Sequence, residues 1–274
     1  MYVAPIFSPN WSRSVSIAKT FISALVVSLT ACGGGGGSSS GSGSTNSTAP
    51  SVPDMSGPAD GFWTGRNDIG YNLGGVFLDS GDYYGVTTDS RGALFSISNA
   101  KSSGTGVQFK MTGNEYSMLK WGVTYSTASG TLNSKSSLLL TTSGGTTISA
   151  RYDASYDTPA AISQIAGSYS ASGISARGAV GSKLLTISSS GAMVFDYQNG
   201  CIATGSVSPR SNNVRRVFNI SMNFSGNTCV LGPGAVTTGV LYVDSNVSPS
   251  VTRILTLTSS GTDAFVSEAK KLPN

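Results

Sequence analysis

The sequence predicts an all-β protein: two small antiparallel β-barrels or sandwiches in tandem, joined by one short helix. Three observations carry this. Gly is abundant (35 of 274 residues) and charge is sparse (11%), a balance that suits short strands and tight turns and does not suit a charged helical bundle. From Gly61 onward, turn signals such as Asp79-Ser-Gly-Asp82, Ser90-Arg-Gly92, Ser143-Gly-Gly145 and Ser190-Gly191 recur about every 8–12 residues. Between them, apolar and polar residues alternate with period two, which puts one face of a strand inward and the other toward water.

The chain before Gly61 reads as an address. Arg13 and Lys19 form a positive leader region, and Phe21 to Ala31 is an apolar run too short to span a bilayer. The run ends in Leu29-Thr30-Ala31-Cys32. This resembles the lipobox of bacterial lipoproteins, and the resemblance implies cleavage before Cys32 and a lipid on its sulfur, with the membrane as a partner through that anchor. Gly33 follows the Cys where an Asp would imply retention at the inner membrane, so outer-membrane residence is expected, with the leaflet open. Gly33 to Asp60 is a Gly/Ser-rich tether of about 28 residues with a root-mean-square reach of roughly 30 Å.

The first β unit is expected over 61–156 and the second over 168–274. Trp121, Val123 and Tyr125 alternate with small or polar residues, as do Ile148, Ala150 and Tyr152; Phe218, Ile220, Met222 and Phe224 do so most clearly. Asp157 to Gly167 breaks the rhythm. Thr158 suits a cap, Pro159 the first helical position and Gly167 the residue past the end, so 157–167 is read as a helix of about two turns. Gly61-Phe-Trp63 opens one half and Gly167-Ser-Tyr169 the other, which fits either an internal duplication or two unlike β domains. Cys201 and Cys229 both fall in the second half. With Cys32 lipidated they form an even pair, expected as a disulfide worth roughly 3–4 kcal/mol.

Gly61-Phe62-Trp63 is similar to the Gly-x-Trp opening of calycins, the lipocalin-like barrels. That resemblance implies a Trp closing the barrel floor beneath a basic residue of the last strand, for which Arg151 is the counterpart. A broader likeness runs through Gly75 to Tyr84, Tyr156 to Ala161, Ile165 to Tyr169, and Cys201 and Cys229. It resembles an uncharacterised family of proteobacterial lipoproteins whose halves are similar to the barrel lobes of transferrin-binding-protein-B-like surface lipoproteins. No residues here match a transferrin or haem site.

Several function classes are disfavoured by what is missing. The chain has no His, the commonest general base and metal ligand. Its net charge of +4 falls to about +2 once Arg13 and Lys19 leave with the leader, so no nucleic-acid partner is read from it. Ser-x-x-Lys occurs at Ser98–Lys101 and Ser117–Lys120 but in turn-rich β context, where the helical geometry of penicillin-recognising enzymes is not expected. Ser211-Asn-Asn213 only loosely imitates a partner motif. Gly37-Ser-Ser-Ser-Gly41 lies in the tether, where no nucleophile elbow forms. Asp79 and Asp82 would suit Ca²⁺ but suit a hairpin turn better, so no metal and no cofactor are expected. Arg210, Arg215 and Arg216 form a basic loop that is either solvated or turned to lipid-headgroup phosphates or an acidic partner. Tyr83, Tyr84, Tyr116 and Trp121 are the candidate binding residues. The expected function is a lipid-anchored, non-enzymatic binding module for a protein or a small apolar ligand. The alternatives are a structural envelope lipoprotein and a Ser–Lys hydrolase. A small-ligand role requires an apolar cavity lined by period-two residues and fails if both interiors are filled.

Overall fold

In a computed structural model, residues 59–105, 107–118, 122–210, 215–245 and 250–273 are described. Cys32, the leader, the tether through residue 58, Lys120, Trp121 and Ser211–Asn213 lie outside the described residues. The first barrel runs β1 (Gly61–Asn67), β2 (Asn72–Phe77), β3 (Asp82–Thr88), β4 (Leu94–Thr105), β5 (Gln108–Ser117), β6 (Gly122–Asn133), β7 (Ser137–Thr142) and β8 (Thr147–Asp153). The second runs β9 (Gly167–Ser175), β10 (Gly178–Ile187), β11 (Ala192–Asp196), β12 (Ile202–Pro209), β13 (Val217–Ser225), β14 (Val236–Asp244), β15 (Val251–Thr258) and β16 (Ala264–Lys271). Each strand pairs antiparallel with the next. The last closes on the first, with Tyr152 opposite Trp63 in one barrel and Val266 opposite Ile174 in the other. Closure leaves neither barrel with an open edge.

One hairpin device recurs, and its residues are those the turn signals named. At Asp89–Ala93 the Gly92 N–H donates to the Asp89 carbonyl, and Gly92 takes φ of 85°, a left-handed value that a side chain would resist. The Asp89 carboxylate accepts from the N–H groups of Arg91 and Ala93, both at 2.9 Å. Ser188–Ala192 repeats the plan in the second barrel, with Gly191 at φ 85° and the Ser188 hydroxyl accepting from the Ala192 N–H.

The link between barrels holds less helix than the pattern predicts. A 3₁₀ turn covers Ala154–Asp157, capped by the Asp153 carboxylate, and a single α-turn, α1, covers Ile162–Ile165. Pro159 explains the gap. Its ring disfavours the helical region for the residue before it, and Thr158 is extended at φ −85°, ψ 140°. Helix resumes only after Ala161, where the Gln164 amide oxygen accepts from the Ala161 N–H.

The barrels are fused along a largely apolar seam. On β15, all of Val251 to Thr256 is buried, and on β16 all of Ala264 to Ser267. Alternation is lost there because both faces are covered, one by the barrel interior and one by the neighbouring barrel. Phe62, Val76, Val86, Ile97 and Tyr116 from the first barrel share one apolar cluster with Val240, Tyr242, Leu255 and Val266 from the second. The Phe62 ring lies 4.9 Å from Tyr242 and 5.0 Å, edge-on, from Tyr156. The Tyr116 hydroxyl donates to the Gly261 carbonyl at 2.7 Å.

The arginines of the basic loop pin the seam's margin. Arg210 pairs with Asp79 at 2.8 Å, and Arg215 with Asp60 at 3.2 Å and Asp157 at 3.0 Å. Arg215 also lies 5.3 Å over the Tyr156 ring, whose hydroxyl donates to Asp60. Arg216 contributes its backbone N–H to the Tyr156 carbonyl. The acidic partners of Arg210 and Arg215 are therefore within the chain. Each such exposed or half-exposed pair adds at most about 1 kcal/mol, so the apolar cluster dominates and the ion pairs set register.

In the second barrel, Cys201 and Cys229 form a disulfide with a Cα–Cα distance of 4.9 Å. Asp263, fully buried in the β15–β16 turn, accepts from the N–H groups of Ala176 and Ala264 and pairs with Arg177 at 2.8 Å.

Two outcomes follow. Phe62→Ala removes a ring central to the seam and should cost about 3–5 kcal/mol. In urea, Trp fluorescence (the first barrel) and far-ultraviolet circular dichroism (both barrels) should coincide for the wild type and separate for the variant. Coincident curves in the variant would mean the seam does not couple the barrels. Asp263 gives a pH dependence. Burial pushes its carboxyl up, against the Ala264 and Ala176 amides and Arg177. Its folded value therefore lies above its unfolded one, and its contribution is lost as pH rises through the folded value. Relative to wild type, the melting temperature of Asp263→Asn should rise between about pH 3 and about pH 7, and a constant or shrinking difference would contradict this.

Candidate ligand chamber in the first barrel

Eight closed strands leave an interior that side chains either fill or leave just wide enough for one small ligand. The two barrels take opposite courses. In the second, Phe195 and Tyr197 stack at 4.6 Å, and Phe224 and Phe265 meet at 5.8 Å, with Phe218, Met222 and Leu241 also buried in this core. In the first, large residues stay at one end. Trp63, Phe77, Phe109, Leu132 and Leu138 form a floor, with Phe77 and Phe109 edge-on at 5.4 Å. The Trp63 indole N–H donates to the Ala59 carbonyl at 2.7 Å, and its ring meets Tyr152 at 5.5 Å.

Above that floor the inward positions turn small. Ala100, Gly113 and Ser126 stand in one cross-strand row and Ser98, Glu115 and Thr124 in the next. The result is a cavity of about 430 Å³ bordered by these residues together with Met111, Ala128, Leu140, Ile148 and Ala150. That volume lies within the range of roughly 300–1,000 Å³ common for small-molecule sites. Its mouth is ringed by Asn67, Ile69, Tyr71, Phe95, Tyr125 and Ser143. Ile69 is 66% exposed and Tyr125 68%, so the rim presents apolar surface to solvent. The Tyr71 and Phe95 rings lie 4.5 Å apart.

Tyr83 shows how sequence sets the wall. Its ring lies across Gly75 and Gly85 on the neighbouring and same strands, where any added Cβ would fall within 2.6 Å of it. It also packs on Phe77 at 4.4 Å, and burial raises its phenol well above the usual value.

Comparison with family models, with curated proteins and with solved structures finds no match to this chain.

The candidate binding residues do not converge. Tyr83 borders the chamber. Tyr84, one residue on, faces the seam, where burial raises its phenol, with Asp82 adding and Arg210 opposing. Tyr116 is buried in the seam, and Trp121 lies outside the described residues. Arg151 does not cover Trp63. It pairs with Thr64 on the exposed face of β8, and the inward alternation brings Tyr152 over Trp63 instead, with Lys135 5.7 Å above the Tyr152 ring. The Val123–Tyr125 run is also inverted relative to expectation. Val123 and Tyr125 are exposed, while Ser126, Ala128 and Leu132 continue the inward face. Tyr71, Phe95 and Ile69 carry a sequence signal in being apolar residues at turn edges, whereas Glu115, within β5, carries none.

The other chemical candidates are spoken for. Ser98 faces the chamber, but Lys101, three residues along the strand, lies on the opposite face and pairs with Asp82 at 2.6 Å. Asp79 pairs with Arg210, and the Ser80 hydroxyl donates to Asp82.

Proposed function

We propose that this chain is a lipid-anchored envelope protein whose first barrel takes up a small, largely apolar ligand and whose second is its solid support. The hollow, apolar-walled chamber with an exposed apolar rim carries this reading. The leader, Ala31-Cys32 and the tether support the anchor, and the likeness of Gly61-Phe62-Trp63 to the calycin opening agrees with a ligand-holding barrel. The seam supports the division of labour, since a filled barrel braces the β2–β4 side of a hollow one.

The mature chain carrying Cys32→Ser should enhance the fluorescence of the neutral probe N-phenyl-1-naphthylamine on titration. Ala128→Trp, which projects bulk into the chamber, should weaken that binding by at least about ten-fold with an unchanged melting temperature. No enhancement by wild type, or equal affinity in the variant, would rule the chamber out as the site. For the anchor, wild type should partition with membranes and Cys32→Ser should be released into the soluble fraction. A variant that stays membrane-bound would remove Cys32 from the attachment.

A further inference from the structure

The chamber's wall carries a single carboxylate. Glu115 is the one Asp, Glu, Lys or Arg among the described residues that border the cavity. It continues the inward alternation of Phe109, Met111 and Gly113 on β5, placing it toward the mouth, between Ser98 on β4 and Thr124 on β6.

Glu115 also stands apart from the other acids. Asp60, Asp79, Asp82, Asp89, Asp157, Asp244, Asp263 and Glu268 each pair with an Arg or Lys. Asp68, Asp153 and Asp196 each accept from a backbone N–H. Among the described residues, Glu115 alone has neither kind of partner. A carboxylate set without a protein partner in the wall of a mostly apolar chamber is placed to pair with a cationic group that a ligand brings in. The mouth suits one. Tyr71, Phe95 and Tyr125 border the same cavity, and aromatic faces attract ammonium and guanidinium groups. Arg91, on the β3–β4 turn, is held by Asp89 at 3.2 Å.

We propose that the ligand of this chamber is a cationic amphiphile, its apolar chain lying on the Trp63–Phe77 floor and its positive head group held by Glu115 at the aromatic mouth. This rests on the ligand-binding reading of the first barrel and specifies the ligand's class.

The test is competition against N-phenyl-1-naphthylamine by two probes of equal chain length, decyltrimethylammonium and decanoate, below their micellar concentrations. Wild type should prefer the ammonium by at least about ten-fold. That preference should shrink as salt rises from about 20 mM to about 200 mM. Glu115→Gln should abolish the preference and Glu115→Lys should reverse it toward decanoate, with melting curves confirming that both variants fold. Equal affinity of wild type for the two probes, or a preference that survives Glu115→Gln, would overturn the assignment. In either case, wild-type binding of the neutral probe would leave the chamber standing as a site. Loss of neutral-probe binding by wild type would remove both readings.

Discussion

Closure of eight strands is the constraint on which everything else here depends. It fixes the interior's cross-section before any side chain is chosen, so the volume of the inward residues alone decides whether a barrel is a core or a container. Phe195, Tyr197, Phe224 and Phe265 pack together across that space in one barrel. Ala100, Gly113, Ser126 and Ala128 leave it open in the other. One backbone plan thus yields two objects with different physics.

A hollow barrel gives up the packing that normally repays the ordering of its chain. The seam offsets part of that deficit. The β2–β4 face buries Val76, Val86 and Ile97 against the second barrel while the inward face of the same strands is left partly unfilled. Stabilisation has moved from the inside of the first barrel to its outside. This accounts for the buried, two-faced runs of β15 and β16, and for the packing of Tyr84 and Tyr116 in the seam.

The all-β class, two units and the Cys201–Cys229 bridge were legible because period two, turn residues and cysteine parity are local signals. The alternation of Phe218, Ile220, Met222 and Phe224 maps directly onto the second core. What was not legible depends on long-range pairing. An outward residue such as Tyr116 has the same local pattern whether it meets water or another barrel, and Arg215 finds Asp60 across 155 residues. Continuous apolar runs such as Ile254-Leu255 and Ala264-Phe265-Val266 were the available hint of a doubly covered strand. Hollowness is a sum over inward positions of eight strands, and no window of sequence contains it. Pro159 was read for where it sits in a helix, when its effect on Thr158 was the stronger influence.

An even number of up-and-down strands returns the chain to the end at which it entered. The first barrel receives its chain at Asp60, on the floor side, and releases it at Asp153 on that same side, so both covalent ties are opposite the mouth. The hairpins joining β1 to β2, β3 to β4 and β7 to β8 stand at the far end and bear none of the load of attachment. Their lengths and residues can change without touching the floor or the link, both of which lie at the opposite end. A change confined to the lip therefore alters the entrance of the vessel and keeps the stem by which it is held.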